Sequence, residues 1–161
     1  MEKEKIFALV ESVATNKPVW VDNTTPATLL IHRDDLIPIA TILWQNPEMY
    51  FDHLACITGI DNGSETNTME VIYNLYSIPF DRSLTVKVIL DRKNPEIESV
   101  SYIWKSANWL EREVFDMFGI QFKNHPDLRR ILMPADWEGF PLRKDYQEQE
   151  TYRNIKLAPE N

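Results

Sequence analysis

Carboxylates and arginines crowd into one short stretch of this 161-residue chain. In Glu111-Arg112-Glu113-Val114-Phe115-Asp116, Glu113 and Asp116 stand three apart and Arg112 and Asp116 four apart, so a helix would gather them on one face with Trp109. Carboxylates so spaced could perform general acid–base chemistry, with His125 as a third member, given a cleft and a substrate. Two other readings stand beside it: a solvated face whose ion pairs contribute about 0.3–0.5 kcal/mol each, or a charged ridge buried against a partner. Composition alone favours the solvated face. Further on, Asp127 precedes Arg129 and Arg130, and neighbouring arginines cannot share a helical face, so one should point inward to a carboxylate and the other outward. Arg143, Lys144 and Asp145 follow, interleaved with Trp137, Phe140, Leu142 and Tyr146. Those large side chains would be exposed with no core to enter, which tips the reading of this run towards docking on another protein.

Other chemistries are excluded by what is missing. The three histidines, His32, His53 and His125, are isolated, so no metal site is expected, and His125 before Pro126 is read as fixing a turn through side-chain hydrogen bonds. Four glycines in four separate places build neither a phosphate loop nor a dinucleotide fingerprint. Cys56 is the only cysteine, so a disulfide framework and a self-contained iron–sulfur cluster are ruled out; its apolar setting, HLACITGI, predicts a buried, inert thiol. A net charge of −8 argues against a nucleic-acid partner, and the whole acidic excess lies before residue 119. With no signal-peptide core and no run approaching the ~18 apolar residues of a membrane span, a soluble cytoplasmic protein is expected, tied to a membrane only through a partner.

The elements that must position these residues follow from hydrophobic period. Ile6, Phe7, Val10, Val13 and Ala14 predict a helix ending before Pro18, followed by strands at 18–22 and 27–32. Asp34 or Asp35 is expected to cap a second helix that carries Pro38 in its first turn and breaks at Asn46-Pro47. Strands at 51–60, 69–78 and 83–91 complete an α-β-β-α-β-β-β order, an α+β domain whose mixed sheet is covered on one face by helices. A charged helix over 104–118 stops at Gly119, a strand or turn spans 120–122, and a short helix is predicted from Pro126 to about Leu132. The remainder is aperiodic and should be extended. Domain bounds are placed at 1–122 for the α+β body and 123–161 for a partner-binding segment.

The run from Ala107 to Tyr146 resembles the C-type (30 kDa-type) subunit of respiratory complex I, the proton-pumping NADH:quinone oxidoreductase. The likeness is carried by Ala107-Asn108-Trp109-Leu110-Glu111-Arg112-Glu113, by Asp116-Met117-Phe118-Gly119-Ile120 with Phe122, by His125-Pro126-Asp127-Leu128-Arg129-Arg130-Ile131-Leu132, by Trp137-Glu138-Gly139 and by Pro141-Leu142-Arg143-Lys144-Asp145-Tyr146. Asn124 stands where the family often has glycine, and asparagine tolerates the left-handed conformation such a turn needs. The resemblance implies a peripheral-arm subunit without a cofactor of its own, docked on the quinone-site (D-type) subunit near the iron–sulfur subunits, on the cytoplasmic side of a bacterial inner membrane. The complex so implied passes electrons from NADH through FMN and iron–sulfur clusters to a quinone while moving protons. The interface residues it implies are Trp109, Glu111, Arg112, Glu113, Asp116, His125, Asp127, Arg129, Arg130, Trp137, Phe140, Arg143, Lys144, Asp145 and Tyr146. Alternatives are the equivalent subunit of a membrane-bound hydrogenase or deazaflavin dehydrogenase, and a free-standing acid–base enzyme using Glu113, Asp116 and His125.

Overall fold

A computed structural model describes residues 2–153 together with 155 and 156. Helix α1 (Glu2–Glu11) buries Ile6 and Val10, and strands β1 (Val19–Val21) and β2 (Thr28–Ile31) follow it. A 3-10 turn (Arg33–Asp35) leads into α2 (Leu36–Gln45), which ends as expected where Asn46 leaves the helical conformation. The predicted cap is corrected: the Asp35 carboxylate makes no bond to its own helix. It accepts instead from the backbone and side chains of Thr15 and Asn16, clasping the loop that follows α1. Burial alone would raise that carboxyl, but these donors outweigh it and hold it at about 2.

Strands β3 (His53–Asp61), β4 (Thr68–Ser77) and β5 (Arg82–Asp91) complete a five-stranded sheet in the order β1-β2-β5-β4-β3. The β2–β5 pair is parallel and the others antiparallel, so the sheet is mixed, as its α+β reading requires. Met69, Val71, Tyr73 and Leu75 alternate inward on β4, facing Leu90, Val88, Val86 and Leu84 of β5 on the same face, where the helices pack. Cys56 is exposed, which corrects the buried thiol. A bulge between Leu54 and Cys56 inserts a residue, so Leu54 and Ile57 face inward while Cys56 turns to the open side.

A second, two-stranded parallel sheet joins β6 (Glu96–Glu98) to β7 (Gln121–Lys123) across helix α3 (Ala107–Phe118). The helix starts three residues later than its period suggests, because Trp104 is used as an anchor: it is 4% exposed and its indole N–H donates to the Phe51 carbonyl at 2.9 Å. Gly119, in the left-handed conformation (φ 74°), ends α3 as predicted, and its N–H closes on Phe115. No helix forms over 126–132. The backbone N–H groups of residues 131–133 are bound instead by a side chain of α3. Two short strands, β8 (Thr151–Tyr152) and β9 (Ile155–Lys156), pair near the end of the chain.

Candidate functional site

α3 crosses the sheet where β3 offers least bulk. A Cβ added at Gly59 would meet the Phe118 ring at 2.7 Å and Val114 at 3.0 Å, so a side chain there would force the helix off the sheet. At that close approach α3 divides its charges between environments that spacing could not distinguish. Glu111 and Asp116 are 0% exposed and Arg112 is 9% exposed, while Glu113 faces solvent. The solvated-face reading is therefore corrected for three of the four.

Glu111 points into the body. Its Oε2 lies 2.6 Å from the Ser99 hydroxyl and its Oε1 accepts from the Val100 N–H at 2.7 Å. The His125 Nε2 sits 3.8 Å away. The Asp127 N–H donates to His125 Nδ1 at 3.0 Å, which places the ring proton on Nε2, where it donates to the Asn108 carbonyl at 3.0 Å. His125 thus fixes its turn by side-chain bonds, as the sequence suggested. Burial pushes the Glu111 carboxyl up to about 7, against the opposing bonds from Ser99 and Val100. The Tyr73 hydroxyl, also buried and without a partner, is raised well above its ordinary value by burial and by the nearby Glu111.

Asp116 serves a different purpose. Its Oδ1 accepts from Arg130 Nη1 at 2.8 Å, and its Oδ2 accepts from the backbone N–H groups of Ile131, Leu132 and Met133 at 3.0, 2.7 and 2.9 Å. Burial would raise this carboxyl, but the three N–H groups and Arg130 more than offset it and hold it below the usual range. Those bonds take the donors that a helix at 126–132 would have used, which is why none forms. They also divide the arginine pair as predicted: Arg130 turns in, and Arg129 stays out, paired bidentately with Asp127 at 2.5 and 2.7 Å.

From Arg130 the chain doubles back along the end of α3. The guanidinium groups of Arg130 and Arg143 lie 5.1 and 5.3 Å from the centre of the Phe140 ring, which meets Phe115 edge-on. Arg143 Nε donates to the Phe118 carbonyl at 2.7 Å, and the Leu142 N–H donates to the Met117 carbonyl at 3.0 Å. A last clasp joins Asp61 to Arg92 at 2.6 and 2.9 Å, Arg92 to Asp145 at 2.7 Å, and the Lys144 N–H to Asp61 at 2.9 Å. Arg92, burial and two backbone donors set the Asp61 charge, with Arg92 foremost and the carboxyl far below its ordinary value. Trp137 N–H reaches the Tyr146 hydroxyl at 3.1 Å. Phe140, Trp137 and Tyr146 are half-buried on the chain's own surfaces, which corrects the expectation that they lack internal cover.

What remains outward is a ridge. Trp109, 63% exposed, carries the Arg112 guanidinium 4.8 Å over its ring, and Arg112 Nε is held by the Arg129 carbonyl at 3.0 Å. Glu113 and the Arg129–Asp127 fork lie on the same elements. The acid–base grouping does not assemble: Glu113 is in solvent, both Asp116 oxygens are engaged, and His125 faces Glu111. Among the described residues no group of three His, Cys, Asp or Glu is placed to hold a metal, and no helix is long and apolar enough to cross a membrane. Asp61, Arg92, Ser99 and Tyr73 were not singled out from the sequence. Each lies in an ordinary strand or turn, and nothing in its spacing ties it to α3 or to residue 145.

The family described as respiratory-chain NADH dehydrogenase, 30 Kd subunit, matches residues 29–152. The chain is 44% identical over 137 residues to the C subunit of the NADH-quinone oxidoreductase of Chlorobium phaeobacteroides, covering 84% of this chain and 82% of that one. Among solved structures, a trypsin-resistant fragment of Nqo5 aligns with a TM-score of 0.62 at 27% identity, over 80% of this chain and all of the fragment. A chain of the membrane-bound sulfane sulfur reductase, an archaeal respiratory membrane complex, aligns with a TM-score of 0.76 over 100% of this chain and 97% of its own, and at 19% identity it shares the fold alone.

Proposed function

Because this chain belongs to the 30 kDa subunit family of the respiratory-chain NADH dehydrogenases, we propose that it acts in the peripheral arm of an NADH:quinone oxidoreductase as a docking subunit without chemistry of its own. In this reading the α3 ridge and the segment 123–161 grip the quinone-site subunit beside the iron–sulfur subunits, on the cytoplasmic side of a bacterial inner membrane. FMN, the clusters, NADH and the quinone belong to the other subunits. Electron transfer from NADH to quinone, and the proton movement coupled to it, depend on this chain through placement.

The observation that carries the proposal is the ridge. An exposed tryptophan covered by an arginine whose guanidinium is already held by a backbone carbonyl is a preorganised anchor of the kind that dominates protein interfaces. The clasp through Asp116, Arg130, Phe140 and Asp61 holds the C-terminal segment against the far end of the same helix, which supports reading ridge and segment as parts of one docking surface.

The test is purification of the whole complex carrying W109A with R129A in this chain. Loss of the quinone-site subunit and of quinone reductase activity, with the variant chain still folded alone, is the expected result. A complete peripheral arm with parental activity would overturn the docking assignment. The fold shared with the sulfane sulfur reductase chain leaves a related electron-transfer complex as the alternative assembly. Identification of the co-purifying subunits separates the two.

A further inference from the structure

We propose that Glu111 is a proton-binding site inside this subunit, a buried acid that exchanges its proton through the hydroxyls of Ser99 and Ser101. The inference is independent of which partner the ridge meets.

It rests first on what faces the carboxyl. Glu111 is 0% exposed, and the groups around it come from four elements. Tyr73 comes from β4, Ser99, Val100 N–H and Ser101 from the segment after β6, His125 from the turn after β7, and the Asn108 carbonyl from α3 itself. Among the described residues no lysine or arginine pairs with it. His125 Nδ1 is occupied as an acceptor by the Asp127 N–H, and its Nε2 is engaged with the Asn108 carbonyl. A buried carboxylate with no cation is costly, and the proton is the smallest ligand that relieves it.

The second support is the hydroxyl pair. Ser99 Oγ lies 2.6 Å from Glu111 Oε2 and 2.8 Å from Ser101 Oγ. Each hydroxyl has one proton, so the pair has two orientations. With Glu111 protonated, its O–H donates to Ser99, and Ser99 donates to Ser101. With Glu111 ionised, Ser101 donates to Ser99, and Ser99 donates to the carboxylate. The Ser101 N–H donates to Ser99 in both states. Reversal moves one proton between the carboxyl and the far hydroxyl of the pair, Ser101, which keeps 6% of its surface exposed.

The direction of the stability effect is fixed. The folded carboxyl titrates at about 7, above the ordinary 4.5, so its stabilising contribution is complete below the ordinary value and is lost as pH rises through the folded one.

The experiment is a carboxyl NMR titration of the full chain labelled at glutamate, with urea unfolding of the same protein across pH. One resonance should titrate near neutrality, vanish in E111Q, and shift to higher pH in S99A, where the ionised form loses a donor. E111Q, which keeps the Val100 N–H bond and donates to Ser99, should fold and lose the decline in stability towards neutral pH. If E111Q fails to fold, the S99A displacement decides. A Glu111 resonance in the ordinary carboxylate range, an unmoved one in S99A, or an unchanged pH slope in folded E111Q would overturn the proposal.

Discussion

Replacing Asp116 by alanine tests how the C-terminal segment is held. The carboxylate is 0% exposed and receives four donors, three of them consecutive backbone N–H groups. Losing the carboxylate leaves Arg130, whose side chain is only 13% exposed, without its counter-ion, holding only the backbone carbonyls of Asp116 and Gly139. Removing one partner of a buried ion pair costs about 3–5 kcal/mol, and each buried donor left unsatisfied about 1–3 kcal/mol. These terms do not add fully here, because Leu132 is 60% exposed and its N–H can turn to water once released. D116A should therefore lose about 3–5 kcal/mol, a large part of the ~5–15 kcal/mol typical of a domain. D116N, which retains one acceptor oxygen but sets an amide N–H against Arg130 or the backbone, should lose about half as much. Urea denaturation of both variants measures the loss, and limited proteolysis after Arg129 or Arg130 reports where it is felt. A D116A protein within about 0.5 kcal/mol of the parent would show that the four bonds are dispensable. Acid should reproduce the effect. The folded carboxyl sits below its ordinary 3.8, so its contribution is complete above that value and disappears as pH falls below it towards the folded one.

G119A should destabilise by at least the ~1–2 kcal/mol of a left-handed alanine, because its Cβ would also come within 2.5 Å of the Phe140 ring; thermal unfolding and the near-UV aromatic signal check this. Arg112 is not a surface charge, so R112A should cost about 1–2 kcal/mol in the isolated chain through the lost Arg129 carbonyl bond and Trp109 stacking, whereas W109A should cost under about 1 kcal/mol. Equal, negligible losses in both would refute that distinction. R92A leaves Asp61 buried without its cation and frees Asp145, so tryptic cleavage at Arg143 or Lys144 should quicken; unchanged cleavage would mean the clasp does not hold the segment.

Much of this architecture was legible because it repeats locally. The alternation on β4 and the stop at Gly119 follow from period and from geometry within a few residues, whereas Arg129 and Arg130 part as expected without the helix that argument assumed, because Asp116 draws Arg130 inward. Asn124, at φ 60°, likewise occupies the left-handed turn its residue type suits. What escaped depends on contacts between distant positions. Helical period puts Glu113 and Asp116 on one face, but only the route of residues 131–133 decides that Asp116 is enclosed. Glu111 looks like any solvated acid until Ser99 and His125 arrive from other elements. The exposure of Cys56 follows from a one-residue bulge that the mostly apolar run around it cannot reveal. The Asp61–Arg92–Asp145 clasp joins the end of β3, the bend after β5 and a turn of the C-terminal segment, with no shared motif.

The end of α3 has a mechanical meaning. A helix finishes with carbonyls that lack partners, and here those of Met117 and Phe118 are met by the Leu142 N–H and by Arg143. The returning segment is thus a splint on the helix that also bears the ridge. Peeling the segment away would strip the Met117 and Phe118 carbonyls of these donors. Under the proposed docking, a neighbour that gripped the segment near Phe140 would bear on the same helix that carries Trp109. Segment and ridge are thus joined through one helix.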